Sequence, residues 1–311
     1  MIKEEFFFDS RDEKTKIHAV RWVPDGEIRA ILQIVHGMAE HVERYDYVAN
    51  WFAKRGILVT AEDHLGHGKT VTDEGIYGYF CPQDPSTVVV RDVHRLKKIT
   101  EEKYPGVPYF ILGHSMGSFI TRNYLFKYGK GIKGAVISGT ATKSPALIKT
   151  GFLLCNINGL FFGQKHISRM INDMATDSKS KIDPDHRFDW LCTDRTEVEK
   201  YRDDPLCGFP FTINGFKTLF GLIDRQNKKK NVDNMPKELP VKFISGDLDT
   251  VGDCGKGVLK AVESFKNVGM KNVECTLYKG LKHEILNEPV KDDICEDILE
   301  WMNKIIPNAK A

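Results

Sequence analysis

Tyr109-Phe110-Ile111-Leu112-Gly113-His114-Ser115-Met116-Gly117 is the stretch that decides the fold. Its first four residues are apolar and read as a short strand buried on both faces. A G-x-S-x-G sequence follows at once, and a helical pattern then runs to about Tyr128-Gly129. A strand that turns so directly into a helix forces the central serine into a strained backbone conformation. Glycines two places either side let strand and helix approach without colliding β-carbons. Ser115 is therefore expected above the sheet, at the amino end of the helix, where a nucleophile would stand. The bland alternative is a Gly-Ser turn of no consequence, and the strand and helix on either side speak against it.

Outward from this point, apolar runs and helical patterns alternate. Strands are expected throughout the first 35 residues, notably over 16–23, which stops at the turn Pro24-Asp25-Gly26, and over 30–35. A helix over 45–55 closes on Gly56, a strand covers 57–61, a helix 87–102 and a strand 132–137. The rhythm lapses over about 140–236. It resumes with a strand over 240–245, a helix over 255–268, a strand over 273–278 and a last helix over 289–306, with Pro289 in its first turn. Such alternation means a mostly parallel sheet flanked by helices. The expected organisation is a core of residues 1–139 and 236–311 with an inserted, mostly helical lid over 140–235.

A serine hydroxyl needs a base. Behind a nucleophile elbow the partners follow in the order acid, then histidine. Three histidines come after Ser115, and two of them, His166 and His186, fall in the insertion. His283 follows the 273–278 strand through a short loop, at the sheet edge where such folds place their sites. The acid comes from Gly246-Asp247-Leu248-Asp249-Thr250-Val251-Gly252-Asp253. Asp249 is preferred, a few residues past the strand and able to orient the imidazole. Asp253 is the runner-up and is expected to cap the following helix. The oxyanion would be held by two backbone amides, those of Met116 and of Met38 in the loop that begins His36-Gly37-Met38.

Other motifs fail on spacing. Gly68-Lys69-Thr70 has the tail of a P-loop, but the required earlier glycine is Asp63. In His36-Gly37-Met38-Ala39-Glu40-His41 the spacing is one residue too long for a zinc-protease helix. His64 and His67 bracket a glycine turn and read as structural. The chemistry calls for no metal and no organic cofactor.

Composition bounds the setting. The 311 residues are 41% hydrophobic and 28% charged, an ordinary globular balance. Lys plus Arg is 45 and Asp plus Glu 43, so nothing suggests nucleic acid as a partner. Lys228-Lys229-Lys230 reads as a solvated loop. Seven scattered cysteines, with no C-x-x-C pair, argue against a disulfide framework and for a reducing compartment. No signal-like segment opens the sequence and no stretch approaches 18 apolar residues, so a cytoplasmic location is expected.

Three segments together resemble the monoacylglycerol lipase and lysophospholipase group of α/β hydrolases. His36-Gly37-Met38-Ala39-Glu40-His41 with Arg44-Tyr45 is similar to that family's oxyanion segment, Asp63-His64-Leu65-Gly66-His67-Gly68 to its D-x-x-G-H-G turn, and Leu112 through Gly117 to its elbow. The resemblance covers about 16–138 and 240–306. It implies the α/β-hydrolase fold, Asp249 as the acid, His283 as the base, and a lid over the site. One departure is Ser118, where the family usually has a second glycine.

The resemblance further implies a serine esterase acting on a small lipid or other ester, with medium- or long-chain monoacylglycerols first. Lysophospholipase, thioesterase and short-chain carboxylesterase activities are the alternatives. An epoxide hydrolase or haloalkane dehalogenase would want a carboxylate at 115. A non-enzymatic binding protein of the same fold is disfavoured because every catalytic position is filled. In the lid, Phe152, Leu153, Ile157 and Phe161 are candidates to line an acyl pocket, and the same apolar stretch is a candidate for peripheral membrane contact.

Overall fold

A computed structural model describes residues 1–72, 74–175 and 186–306. Eight strands form one sheet: β1 (Ile2–Asp9), β2 (Lys16–Val23), β3 (Ala30–Val35), β4 (Ile57–Glu62), β5 (Tyr109–His114), β6 (Gly134–Ser138), β7 (Val241–Gly246) and β8 (Val273–Tyr278). Their order is β1-β2-β4-β3-β5-β6-β7-β8. Only β2 runs against the rest, pairing antiparallel with β1 and β4, while β3 to β8 are mutually parallel. This is the α/β-hydrolase fold that the sequence implies.

Every residue of β3, β4, β5, β6 and β7 is buried, which explains their continuous apolar runs. Side chains still alternate between the two faces. Ile31 and Val35 of β3 join one core cluster, with Val89, Leu96, Ile120 and Phe265. Those residues come from α2 (Pro85–Lys103), α3 (Met116–Tyr128) and α9 (Lys256–Asn267). Leu32 and Ile34 face the other way, onto Phe52 of α1 (Asp46–Ala53) and Ile298 and Trp301 of α10 (Lys291–Ile305).

Boundaries moved where local hydrogen bonds took over. Residues 129–131 form a 3₁₀ turn, so β6 starts at Gly134 rather than at 132. The last helix begins at Lys291 with Val290 as its N-cap, so Pro289 precedes the helix instead of opening it. α1 ends at Ala53 with Lys54 as its C-cap, two residues before Gly56, whose φ of 80° turns the chain into β4. Lys228-Lys229-Lys230 is exposed, but it enters a short helix, α8 (Lys229–Val232), because Lys229 pairs with Asp233 one turn on. All seven cysteines are free.

Between β6 and β7 the chain passes through α4 (Pro145–Phe162), α5 (Arg169–Ala175), α6 (Arg195–Asp203), α7 (Ile213–Gln226) and α8. Side-chain caps start three of these: Ser144 on Leu147 N–H, Asp194 on Thr196 N–H and Thr212 on Gly215 N–H. α7 is pinned to the core by Asn123 donating to Leu222 O and Gln226 donating to Phe119 O. α4 is 18 residues long and apolar enough, by length and composition, to cross a membrane. Lys149, Thr150, Asn156 and Asn158 interrupt its apolar run, so the sequence shows no continuous apolar stretch of that length. Only Ile148 and Cys155 of this helix are buried.

Candidate active site

Ser115 sits between β5 and α3 with φ 53° and ψ −119°, a conformation that non-glycine residues rarely adopt. Its N–H donates to Ser138 O of β6 at 3.0 Å, and its carbonyl receives the Ser118 N–H at 2.9 Å and the Ser118 hydroxyl at 2.6 Å. The serine that departs from the family pattern at 118 thus braces the elbow. A β-carbon at Gly117 would drive into the carbonyls of Val35 and His36, and one at Gly113 into Thr121 and the Gly117 carbonyl. Gly117 therefore lets α3 rest on the end of β3.

His283 follows β8 and is buried. Its Nδ1 lies 3.0 Å from Asp249 Oδ2, which places the ring proton on Nδ1. Its Nε2 is buried and, among the described residues, has no hydrogen-bond partner. Burial opposes charging of this imidazole, yet the Asp249 carboxylate, helped by Glu284 and Glu40, raises its pKa above the ordinary value. Burial also resists ionisation of Asp249. The charge and hydrogen bond of His283 and the amides of Val251 and Gly252 nonetheless hold its pKa below the usual range. Asp249 is fixed further by the Ser245 hydroxyl at 3.1 Å.

Ser115 and His283 converge on the end of β6. Ser138 O takes the Ser115 N–H, and the next residue, Gly139, leaves so little room that a β-carbon there would press on His283 and His114. The His114 and His283 rings are 4.8 Å apart. Burial, then His283, lowers the His114 pKa to about 3, so His114 stays neutral.

Asp253 does not meet the imidazole. It is exposed, with φ 54°, and α9 is headed by Gly255 with no side-chain cap. The expected capping role for Asp253 is therefore corrected: the turn carries it past the helix end and leaves its side chain in solvent.

Met38 lies in the loop after β3, whose next residue, Ala39, has φ 53°. Met116 is the first residue of α3. Among the described residues, no acceptor engages either amide. Glu40 folds this loop back on itself, accepting from Gly37 N–H, from Tyr45 OH at 3.0 Å and from Arg44 at 2.8 Å. Arg44 then makes a bidentate contact of 2.7 Å to Glu284, the residue beside His283. Burial would raise the Glu284 carboxyl, but the Arg44 guanidinium holds it down to about 2. Glu40 is pushed up instead, since burial and repulsion from Glu284 outweigh its single contact with Arg44.

His36, His64 and His67 are buried close together, with 4.0 Å between the first two rings. His36 donates from Nδ1 to Gly37 O and accepts the His64 N–H at Nε2. Burial, the largest cause, keeps all three uncharged, so they are packing groups under the loop.

The structure separates the four lid candidates. Phe152 turns inward against Phe220, at 6.0 Å between rings, beside the main core cluster. Leu153, Ile157 and Phe161 are exposed. α7 packs on one side of α4 and leaves the side that carries these three uncovered. A residue with no sequence signal takes a place at the site instead: Trp190, whose ring lies 5.1 Å from that of His283. Its segment is tied to the His283 loop by Glu284 N–H donating to Leu191 O at 2.7 Å and by Thr193 N–H donating to Glu288 at 3.0 Å.

Comparison with known proteins agrees with this architecture. The family described as Serine aminopeptidase, S33 matches residues 26–290. The monoacylglycerol lipase of Mycolicibacterium smegmatis is 27% identical over 90% of both chains. The monoglyceride lipase of Mus musculus is 28% identical over 93% of this chain and 88% of its own. A thermostable carboxyl esterase from Bacillus coagulans, solved in complex with glycerol, superposes with a TM-score of 0.90 at 30% identity, covering 99% of this chain and 100% of that one. The chain belongs to the serine aminopeptidase S33 family of the α/β-hydrolase superfamily, in its monoacylglycerol lipase group, and is a serine ester hydrolase.

Proposed function

We propose that the chain hydrolyses fatty-acid esters, with medium- or long-chain monoacylglycerols as the preferred class, through an acyl-enzyme on Ser115. The observation that carries this reading is the buried imidazole of His283, with Nδ1 engaged by Asp249 and Nε2 without a partner among the described residues, at the end of β6 where Ser115 is also held. In the proposed reaction His283 Nε2 takes the Ser115 proton as Oγ attacks the ester carbonyl. Asp249 stabilises the imidazolium that forms, and the Met38 and Met116 amides hold the oxyanion. His283 then protonates the leaving alcohol, and water, activated in the same way, releases the fatty acid.

The lipid preference rests on the relatives' names and on α4, whose exposed Leu153, Ile157, Leu160, Phe161 and Phe162 form an apolar face of the kind that meets acyl chains or a bilayer surface. In this reading residues 140–235 act as the lid over a core of 1–139 and 236–311. The test is hydrolysis of acetyl to palmitoyl monoacylglycerols, lysophosphatidylcholine and an acyl-CoA, each beside Ser115→Ala. The expected result is a maximum at medium or long monoacylglycerols that the variant abolishes. A maximum at acetyl or butyryl esters would replace the lipid assignment with a general carboxylesterase.

A further inference from the structure

Where the lid segment meets the loop after β3, three metal-ligating side chains of different kinds converge. His41 Nε2, Asp204 Oδ2 and Cys207 Sγ all lie within 4.8 Å of one another, and His41 and Asp204 already touch at 2.8 Å. We propose that these three atoms bind a borderline-soft divalent cation, zinc above all, and that the bound ion inhibits the enzyme by displacing the loop that carries Met38.

The donor set fits that ion. Imidazole, carboxylate and thiolate are the zinc ligands, and three protein ligands leave a fourth, open position for water. His41 and Cys207 are buried, while the Asp204 side chain keeps 29% of its surface in solvent and gives the ion an entrance. Cys207 packs with Leu191, Val198 and Tyr201 in a small apolar cluster, so its sulfur is set in a dry wall. Asp204 spends Oδ1 on the Leu206 N–H, at 2.8 Å, which orients Oδ2 toward His41. Binding exchanges the thiol proton for the metal and releases it to solvent. The imidazole now donates Nε2–H to Asp204 Oδ2, and binding moves the ring proton to Nδ1 by exchange with solvent, so that Nε2 is free to ligate.

The consequence follows from distances. Tetrahedral zinc holds N and O ligands about 3.3 Å apart, wider than the present 2.8 Å between His41 and Asp204. His41 ends the stretch Met38-Ala39-Glu40-His41, and the Ala39 carbonyl is clamped from the lid side by Gly208 N–H at 2.9 Å and Tyr201 OH at 2.9 Å. Metal entry spreads His41 from Asp204 while Ala39 stays tied, so the strain falls on Glu40, the residue between, whose carboxylate accepts the Gly37 N–H next to Met38 and so carries the movement to that loop. An amide meant for an oxyanion tolerates only a few tenths of an ångström of such movement.

Cadmium titration of the full chain, followed by the thiolate-to-cadmium charge-transfer band, tests the site without reference to catalysis. One cadmium per chain with that band is expected. Cys207→Ser should remove the band, and Cys207→Ser and Asp204→Asn should each weaken binding at least ~10-fold. A band that survives Cys207→Ser, or binding unchanged in both folded variants, overturns the site. Zinc inhibition of hydrolysis of a soluble short-chain ester is the second readout. The zinc concentration for half-inhibition should rise at least ~10-fold in Cys207→Ser, and stoichiometric metal binding without inhibition overturns the coupling to the loop. Thermal unfolding of each variant keeps a folding defect apart from a lost ligand. If the chain hydrolysed no ester, the cadmium band would still report on the site.

Discussion

Arg44 and Glu284 stand 240 residues apart in the chain and meet through two hydrogen bonds of 2.7 Å. The first belongs to the segment that carries Met38, the second adjoins His283. One guanidinium thus sets the spacing between the loop proposed to hold the oxyanion and the loop proposed to supply the base. Removing one partner of such a pair leaves a buried charge uncompensated, which costs about 3–5 kcal/mol. Glu284→Gln leaves Arg44 only its contact with Glu40 and should lower the unfolding free energy by up to that amount, read as a lower urea midpoint at an unchanged slope. An unaltered midpoint would show that the pair contributes nothing. Because Glu284 is held down to about 2, its contribution is complete above the ordinary glutamate value of 4.5 and disappears as pH falls toward 2. The wild-type chain should lose this contribution only in acid, and the variant should lack that part of the acid transition.

Gly117→Ala tests the elbow. The added methyl has to occupy the space of the Val35 and His36 carbonyls, which are backbone and have no rotamer to yield. Overpacking of this kind costs ~1–3 kcal/mol or more. We expect a lower melting temperature and slower labelling by a fluorophosphonate, because α3 must lift away from β3. Wild-type stability in this variant would show that the helix can shift freely.

These two sites mark what a sequence can reveal. The elbow was legible because strand, glycines, serine and helix are neighbours in the chain and each carries a local periodic or steric signal. Glu40 and Arg44 stood inside a quoted motif, but their partner Glu284 is distant in sequence, and a lone glutamate beside a histidine signals nothing. Trp190 was hidden for the same reason. The aspartates at 249 and 253 look alike as letters, and only the turn with φ 54° at Asp253 sends one outward while the other is buried. The sequence of α4 does not say which face it buries, because apolar residues stand on its covered side and on its exposed side alike.

The same two aspartates give a kinetic test. Asp249→Asn should lower kcat about 10⁴-fold, the scale seen when a triad carboxylate is replaced by its amide. Asp253→Asn, at an exposed position, should change stability by no more than about 0.5 kcal/mol and leave kcat as it was. The pH profile adds a sign. The raised pKa of His283 places the acid limb of kcat/KM above the ordinary histidine value of 6.5, since the imidazole must be neutral to take a proton. Asp249→Asn removes the charge and leaves burial, the largest influence and one that favours the neutral ring, so the limb should move to lower pH. A limb that moves with Asp253→Asn instead would reassign the acid.

The outer face of α4 supplies the last test. Leu160 and Phe162 are 81% and 65% exposed. Leaving them in water forgoes ~1.5–3 kcal/mol per side chain that an apolar environment would return. Leu160→Asp with Phe162→Asp should therefore abolish flotation with anionic or neutral phospholipid vesicles. It should also slow hydrolysis of vesicle-borne monoacylglycerol while sparing a soluble short-chain ester. Phe162 stacks on His166 at 4.8 Å, so circular dichroism of the double variant is needed to show that the helix survives. If the double variant floats as the wild type does, the apolar face does not meet the bilayer. Slowed hydrolysis of both substrates would place the face in acyl-chain binding rather than in membrane contact.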